Sequence, residues 1–182
     1  MTWKRAGGAW SVLLALSIVL GLTTGSWASH RWYCWKYANG SINFYNGAPS
    51  GSYYNYYQEE ALTDSNSWHN YTDINLTQVG SSGTTDHCNC YASYYGATGW
   101  LGIAEIRRYS GCTILEGRCR LNRSYLDYGY STTNRKHVAC QEVGHLWGLN
   151  HNRGSTTTCM NDTILTAPQP NSHDQSLVNS IY

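Results

Sequence analysis

The sequence predicts an α+β domain, and three observations carry that expectation. Tyrosine is abundant (16 residues) while charged residues make up only 13% of the chain, a balance suited to an exported, loop-rich domain. Short alternations of apolar residues, Ile74 with Leu76 and Leu101 with Ile103, read as half-buried strands. Near the C-terminal end, Val138, Val143, Leu146 and Trp147 fall at helical intervals behind two N-cap candidates, Thr133 and Asn134.

Taken in order, Lys4 and Arg5 precede an apolar stretch from Val12 to Leu22 that is short for a bilayer span. Ser26-Trp27-Ala28 is a small-x-small cleavage site, so residues 1–28 read as a signal peptide and 29–182 as the mature domain. The mature part is near neutral and lacks the basic excess that nucleic acid or an anionic membrane would require. Its length suits one domain with one core, expected to be a monomer without stable membrane association. Residues 29–57, rich in Tyr, Asn, Gly and Ser, predict one strand within irregular structure. Gln58 to Trp68 predicts a helix, with Ala61, Leu62, Ser65 and Trp68 along one side. Tyr71 to Val79 predicts a strand, broken by glycines from Gly80 to Gly83, and Trp100 to Tyr109 a second or edge strand. Cys119 to Asn122 reads as another short strand, and the helix opened at Thr133 or Asn134 should run to about Leu149.

That last helix carries the chemistry. Gln141 and His145 stand at i and i+4, so their side chains share one face, with Glu142 beside them. Gly148 follows where a helix can end in a left-handed turn, which would swing His151 back toward the same point. A metal bound by such a triad would have a carboxylate at hand as general base.

The run from Gln141 to His151 resembles the zinc-binding motif of the metzincin endopeptidases, and most closely their matrixin-like catalytic domains. Glu142, His145, Gly148 and His151 match the family pattern, while Gln141 stands where the first histidine ligand belongs. Thr158-Cys159-Met160-Asn161-Asp162 resembles the family's Met-turn. Ser172 to Tyr182 resembles its C-terminal helix, with Ser172 and Gln175 in capping-box positions. The resemblance implies a metzincin/zincin-like fold, a mixed sheet over an active-site helix with the Met-turn and C-terminal helix below. It implies Zn2+ held by His145, His151 and Gln141, Glu142 as general base, and Met160 as an apolar floor. A peptide or protein substrate would lie along the edge strand, with residues between Met160 and Ser172 lining a specificity pocket. The amide oxygen of Gln141 reaches about as far as a distal imidazole nitrogen but is a weaker donor. A catalytically weak or inactive peptide-binding pseudoprotease is therefore the alternative. His137, Asp162 and His173 are outlying candidates for contacts near the cleft.

All seven cysteines lie in the mature part, which in an exported chain points to disulfides. Cys112 with Cys119 would staple a hairpin-like excursion, and Cys140 with Cys159 would tie the helix to the Met-turn. Cys34 with Cys88 or Cys90 would leave one odd thiol. The competing reading of His87-Cys88-Asn89-Cys90 is a zinc site. The many aromatic residues could also form a carbohydrate-binding surface, and sequons occur at Asn39, Asn70, Asn75, Asn122 and Asn161.

Overall fold

The computed structural model describes residues 29–163 and 165–182; the signal peptide read at 1–28 lies outside the described residues. Among the described residues, five strands form one mixed sheet: β1 (Ser41–Asn46), β2 (Asn75–Val79), β3 (His87–Ser93), β4 (Gly102–Ser110) and β5 (Thr113–Asn122). Their spatial order is β2-β1-β3-β5-β4. The first four positions are joined by parallel pairings, and β4 alone runs antiparallel, on β5. β4 therefore forms an edge of the sheet. Between β4 and β5, Ser110 pairs with Thr113 across the two residues Gly111 and Cys112, and Gly111 takes φ 57°. A two-residue hairpin turn needs that positive φ, which glycine adopts cheaply.

The helices are α1 (Ser52–Gln58), continued by a π-helical turn (Glu59–Thr63), then α2 (Trp68–Tyr71), α3 (Arg123–Leu126), α4 (Thr132–Leu146) and α5 (Ser172–Asn179). α4 packs on β4, β5 and α1. Ile42, Phe44, Tyr57, Leu121, Val143 and Trp147 form the centre of the core between sheet and helices. This is the α+β layout expected from the sequence, a mixed sheet packed on helices.

Individual elements depart from expectation. The first helix begins at Ser52 and its π-turn ends at Thr63, rather than spanning 58–68. Tyr53, Tyr56 and Tyr57 are its buried side, an i, i+3, i+4 stripe made of tyrosine instead of aliphatic residues. α4 is capped by Ser131 in a reciprocal capping box with Asn134, and it ends at Leu146. In α5 the capping box is Asn171 with Asp174, one residue ahead of the pair read from sequence. β3 was not anticipated as a strand at all.

The cysteine pairing expected for the hairpin is corrected. Cys112 occupies the turn and bonds to Cys34, whereas Cys119 bonds to Cys90 on the neighbouring strand. Cys119 sits opposite Ala104 in the ladder, about 20 Å along the strand from the turn at about 3.3 Å per residue. That separation is far beyond disulfide reach. Cys34 therefore takes neither Cys88 nor Cys90, and Cys88 is left as a buried thiol. Cys140 is bonded to Cys159. Two of the sequons are inaccessible in the fold, since Asn122 and Asn161 are buried.

Candidate active site

The C-terminal half of α4 builds the site. Gln141, Glu142 and His145 lie on its cleft-facing side, and the helix stops where Gly148 takes φ 94°. A side chain at Gly148 would also meet the Trp35 carbonyl oxygen at 2.4 Å, so both backbone and space require glycine. The reversal returns the chain so that the rings of His145 and His151 lie 4.8 Å apart. A cleft of about 330 Å³ is lined by Gln141, Glu142, His145 and His151, with Gly102 to Ala104 of β4 forming the opposite wall.

The hydrogen bonds orient each candidate ligand. His145 Nδ1 lies 2.8 Å from the Leu149 carbonyl. A carbonyl only accepts, so this nitrogen carries the proton and Nε2 keeps the lone pair. Burial depresses the His145 pKa to about 4, which keeps the ring neutral as a metal ligand must be. His151 Nδ1 lies 3.2 Å from Asp162 Oδ2, and burial lowers its pKa as well. Asp162 stays ionised, held below the usual carboxylate range first by the Arg153 guanidinium. A carboxylate behind an imidazole fixes its tautomer and raises its basicity. Gln141 donates its side-chain amide to the Cys159 carbonyl at 3.1 Å, so its nitrogen is committed to the segment before Met160 and its oxygen is the atom left for a ligand. Two imidazole nitrogens and one amide oxygen on a common cleft fit a divalent zinc ion, with the amide as the weak member.

Glu142 is 5% exposed. Burial pushes its pKa up to about 8, partly offset by a backbone hydrogen bond from Ala104. Gly102 makes room for it: a Cβ there would stand 2.6 Å from both Glu142 Oε1 and Val138 Cγ1. Beneath the helix, Met160 and Trp68 fill the space over Gly144, where a Cβ would come within 2.5 Å of Met160 Sδ and 2.7 Å of Trp68 Cζ2. Trp68 also donates its indole N–H to the Cys140 carbonyl at 3.1 Å.

The outlying candidates separate. Asp162 backs His151. His137 is fully buried, with its ring nitrogens 2.6 and 2.7 Å from the Ala167 and Asn161 carbonyls, and it does not line the cleft. His173 packs on His30, ring centroids 5.2 Å apart, behind His151. Among the described residues between Met160 and Ser172, none lines the cleft. Trp32 does, and no motif in the chain signals it. A backbone bridge between Arg31 and Leu149 delivers it, supported by bonds from Trp32 N–H to Gly148 and from Asn150 N–H to His30. Its ring stands edge-on to His145, centroids 5.8 Å apart. The three sulfurs of Cys88, Cys90 and Cys119 lie close together on the buried side of the sheet, but two of them share a disulfide.

No protein-family model matches the sequence, and no curated protein matches it. Two solved structures of myroilysin are similar to it. One is 15% identical over 81% of this chain and 85% of that one, with a TM-score of 0.46. The other is 14% identical over 81% and 82% respectively, with a TM-score of 0.48. Among the described residues, no helix is long and apolar enough to cross a membrane.

Proposed function

We propose that the chain is a secreted zinc-dependent metalloendopeptidase, with a signal peptide at 1–28 and one matrixin-like catalytic domain at 29–182. The observation that carries this reading is the convergence of Gln141, His145 and His151 on one cleft beside the buried carboxyl of Glu142. His145 and His151 would hold the zinc through Nε2, and Gln141 through its amide oxygen. Bound there, zinc would supply Lewis acidity, lowering the pKa of water and polarising the scissile carbonyl. Glu142 takes the proton of the attacking water on its carboxylate and returns it to the departing nitrogen; a pKa raised toward neutrality suits both transfers. The unpaired edge of β4 offers its backbone to a peptide laid alongside as an added strand. The three disulfides suit an oxidising, extracellular setting.

Gln141 favours a second reading, a pseudoprotease that binds peptides without turnover, because an amide oxygen holds zinc less tightly than imidazole. One experiment separates the two. The purified mature chain is incubated with a peptide library, with and without a zinc chelator, beside Glu142→Ala. Cleavage abolished by both treatments supports the peptidase. No cleavage by folded, zinc-replete protein rejects it and leaves the binding module.

A further inference from the structure

The segment that leads into β4 is held by one buried side chain. Asn122 is fully buried; its Oδ1 accepts from the Tyr95 and Ser124 amides at 3.2 and 3.0 Å. Its Nδ2 donates to the Gly96 carbonyl at 3.0 Å, Thr98 Oγ1 at 2.8 Å and the Trp100 carbonyl at 3.4 Å. The Gly99 N–H donates to the Tyr125 hydroxyl at 3.0 Å. The Arg120 guanidinium lies 5.4 Å from the Trp100 ring centroid and 5.1 Å from that of Tyr95, and it pairs with Glu105 at 2.8 Å. Trp100 is thus fixed from its backbone and from one ring face before any ligand arrives. The product of these restraints is a cup of about 220 Å³ walled by Gly99, Trp100, Leu101, Tyr125 and Tyr130.

The cup adjoins the cleft in the chain, its wall residues lying immediately ahead of β4. Gly102, at the start of β4, touches the space of Glu142, and Leu101, Trp100 and Gly99 precede it directly. A peptide paired to the β4 edge advances about 3.3 Å per residue. Leu101, Trp100 and Gly99 lie one to three residues ahead of Gly102, outside the β4 ladder, so the cup stands within about 10 Å of the reacting centre, a reach of two or three peptide residues. Its walls are aromatic and aliphatic, which suits a large apolar side chain, and aromatic rings most of all through edge and stacking contacts.

We propose that this cup is a specificity subsite, taking an aromatic or large aliphatic side chain of the substrate two or three residues from the cleaved bond. The proposal rests on the reading of the cleft as a peptidase site. Trp100 and Tyr130 are its specificity-determining residues, and the preordered loop lets the substrate gain contact without first ordering the protein.

The test is a set of otherwise identical peptides carrying Phe, Leu, Ala or Lys at each position on either side of the cleaved bond. The expected result is one position, two or three residues away, where Phe or Leu raises kcat/KM about tenfold or more over Ala. In Trp100→Ala that ratio should fall toward one, while Trp100→Phe should keep most of it. Should Trp100→Ala fail to fold, Tyr130→Ser replaces it. Cleavage without any such preference, or a preference untouched by Trp100→Ala and Tyr130→Ser, overturns the proposal while leaving the peptidase reading intact. If wild type cleaves nothing, the peptidase reading fails, and the cup is then tested by fluorescence anisotropy of the same peptides, labelled. Tighter binding of the Phe peptide that Trp100→Ala removes supports the cup; equal binding of the Phe and Ala peptides overturns it.

Discussion

Glu60→Gln should stabilise the fold by an amount that grows with pH. Glu60 lies on the inner side of the π-helical turn with 0% exposure, and neither carboxylate oxygen has a hydrogen-bond partner. The Lys136 ammonium is 3.8 Å from Oε1 and engages Glu59 more closely. Burial pushes the Glu60 pKa from 4.5 up to about 8, with Lys136 offsetting part of the effect. The folded value lies above the unfolded one, so folding favours the protonated acid. The penalty is absent below about 4.5, grows as the carboxyl is forced to ionise, and is complete above about 8. A shift of that size corresponds to about 4 to 5 kcal/mol at the alkaline limit, and to under about 1 kcal/mol near pH 5. Urea unfolding of wild type and Glu60→Gln at about pH 5 and about pH 8.5 reads the difference directly. The expectation is near-equal stability in acid and a gain on the order of 4 kcal/mol for the variant in base. A gain of the same size at both values would refute the reasoning. A loss in base would show instead that Glu60 is ionised in a favourable pair with Lys136.

Other predictions concern the site. Gln141→His should tighten zinc by about tenfold or more, since imidazole replaces an amide oxygen; competition with a chromogenic chelator measures it, and unchanged affinity would remove Gln141 from the ligand set. Gly144→Ala gains up to about 1 kcal/mol of helix propensity. It must nevertheless push aside Met160 and Trp68, which overpacking data put at about 1 to 3 kcal/mol. A lower midpoint in chemical denaturation is the expected net outcome, and a higher one would mean that the floor yields easily. Cys140→Ala with Cys159→Ala opens a loop whose ends are 19 residues apart, with an expected loss of about 3 kcal/mol. It should also weaken zinc, because Gln141 is anchored on the Cys159 carbonyl.

What could be read in advance was local. The i, i+4 spacing of Gln141 and His145, the carboxylate between them and the glycine at the reversal are properties of one short segment. The helix and its left-handed stop follow from bonds among near neighbours. Met160, the one methionine besides Met1, was singled out by the same reading, and the structure buries it against Gly144. The α1 boundary was misplaced because its inward stripe is made of tyrosines, residues that serve equally well in loops. β3 was missed because a central parallel strand is buried on both faces and loses the alternation that marks a half-exposed one. Its polar member, Asn89, is buried by pairing with both backbone groups of Gly83, a partner that no pattern within 87–93 discloses.

The sequence by itself determined the helix that carries the candidate ligands, the α+β class and the chemical types gathered around the cleft. Cys140 with Cys159 was expected and is found; only the tertiary structure decided how the other cysteines pair, that Trp32 reaches the cleft, and that the amide of Gln141 turns its nitrogen to Cys159. It also decided that Glu142 and Glu60 are buried carboxyls. The division has one physical cause. Helix periodicity and capping depend on residues a few positions apart, whereas disulfide partners, desolvation and the walls of a cleft depend on segments that meet only after the sheet has set its strand order.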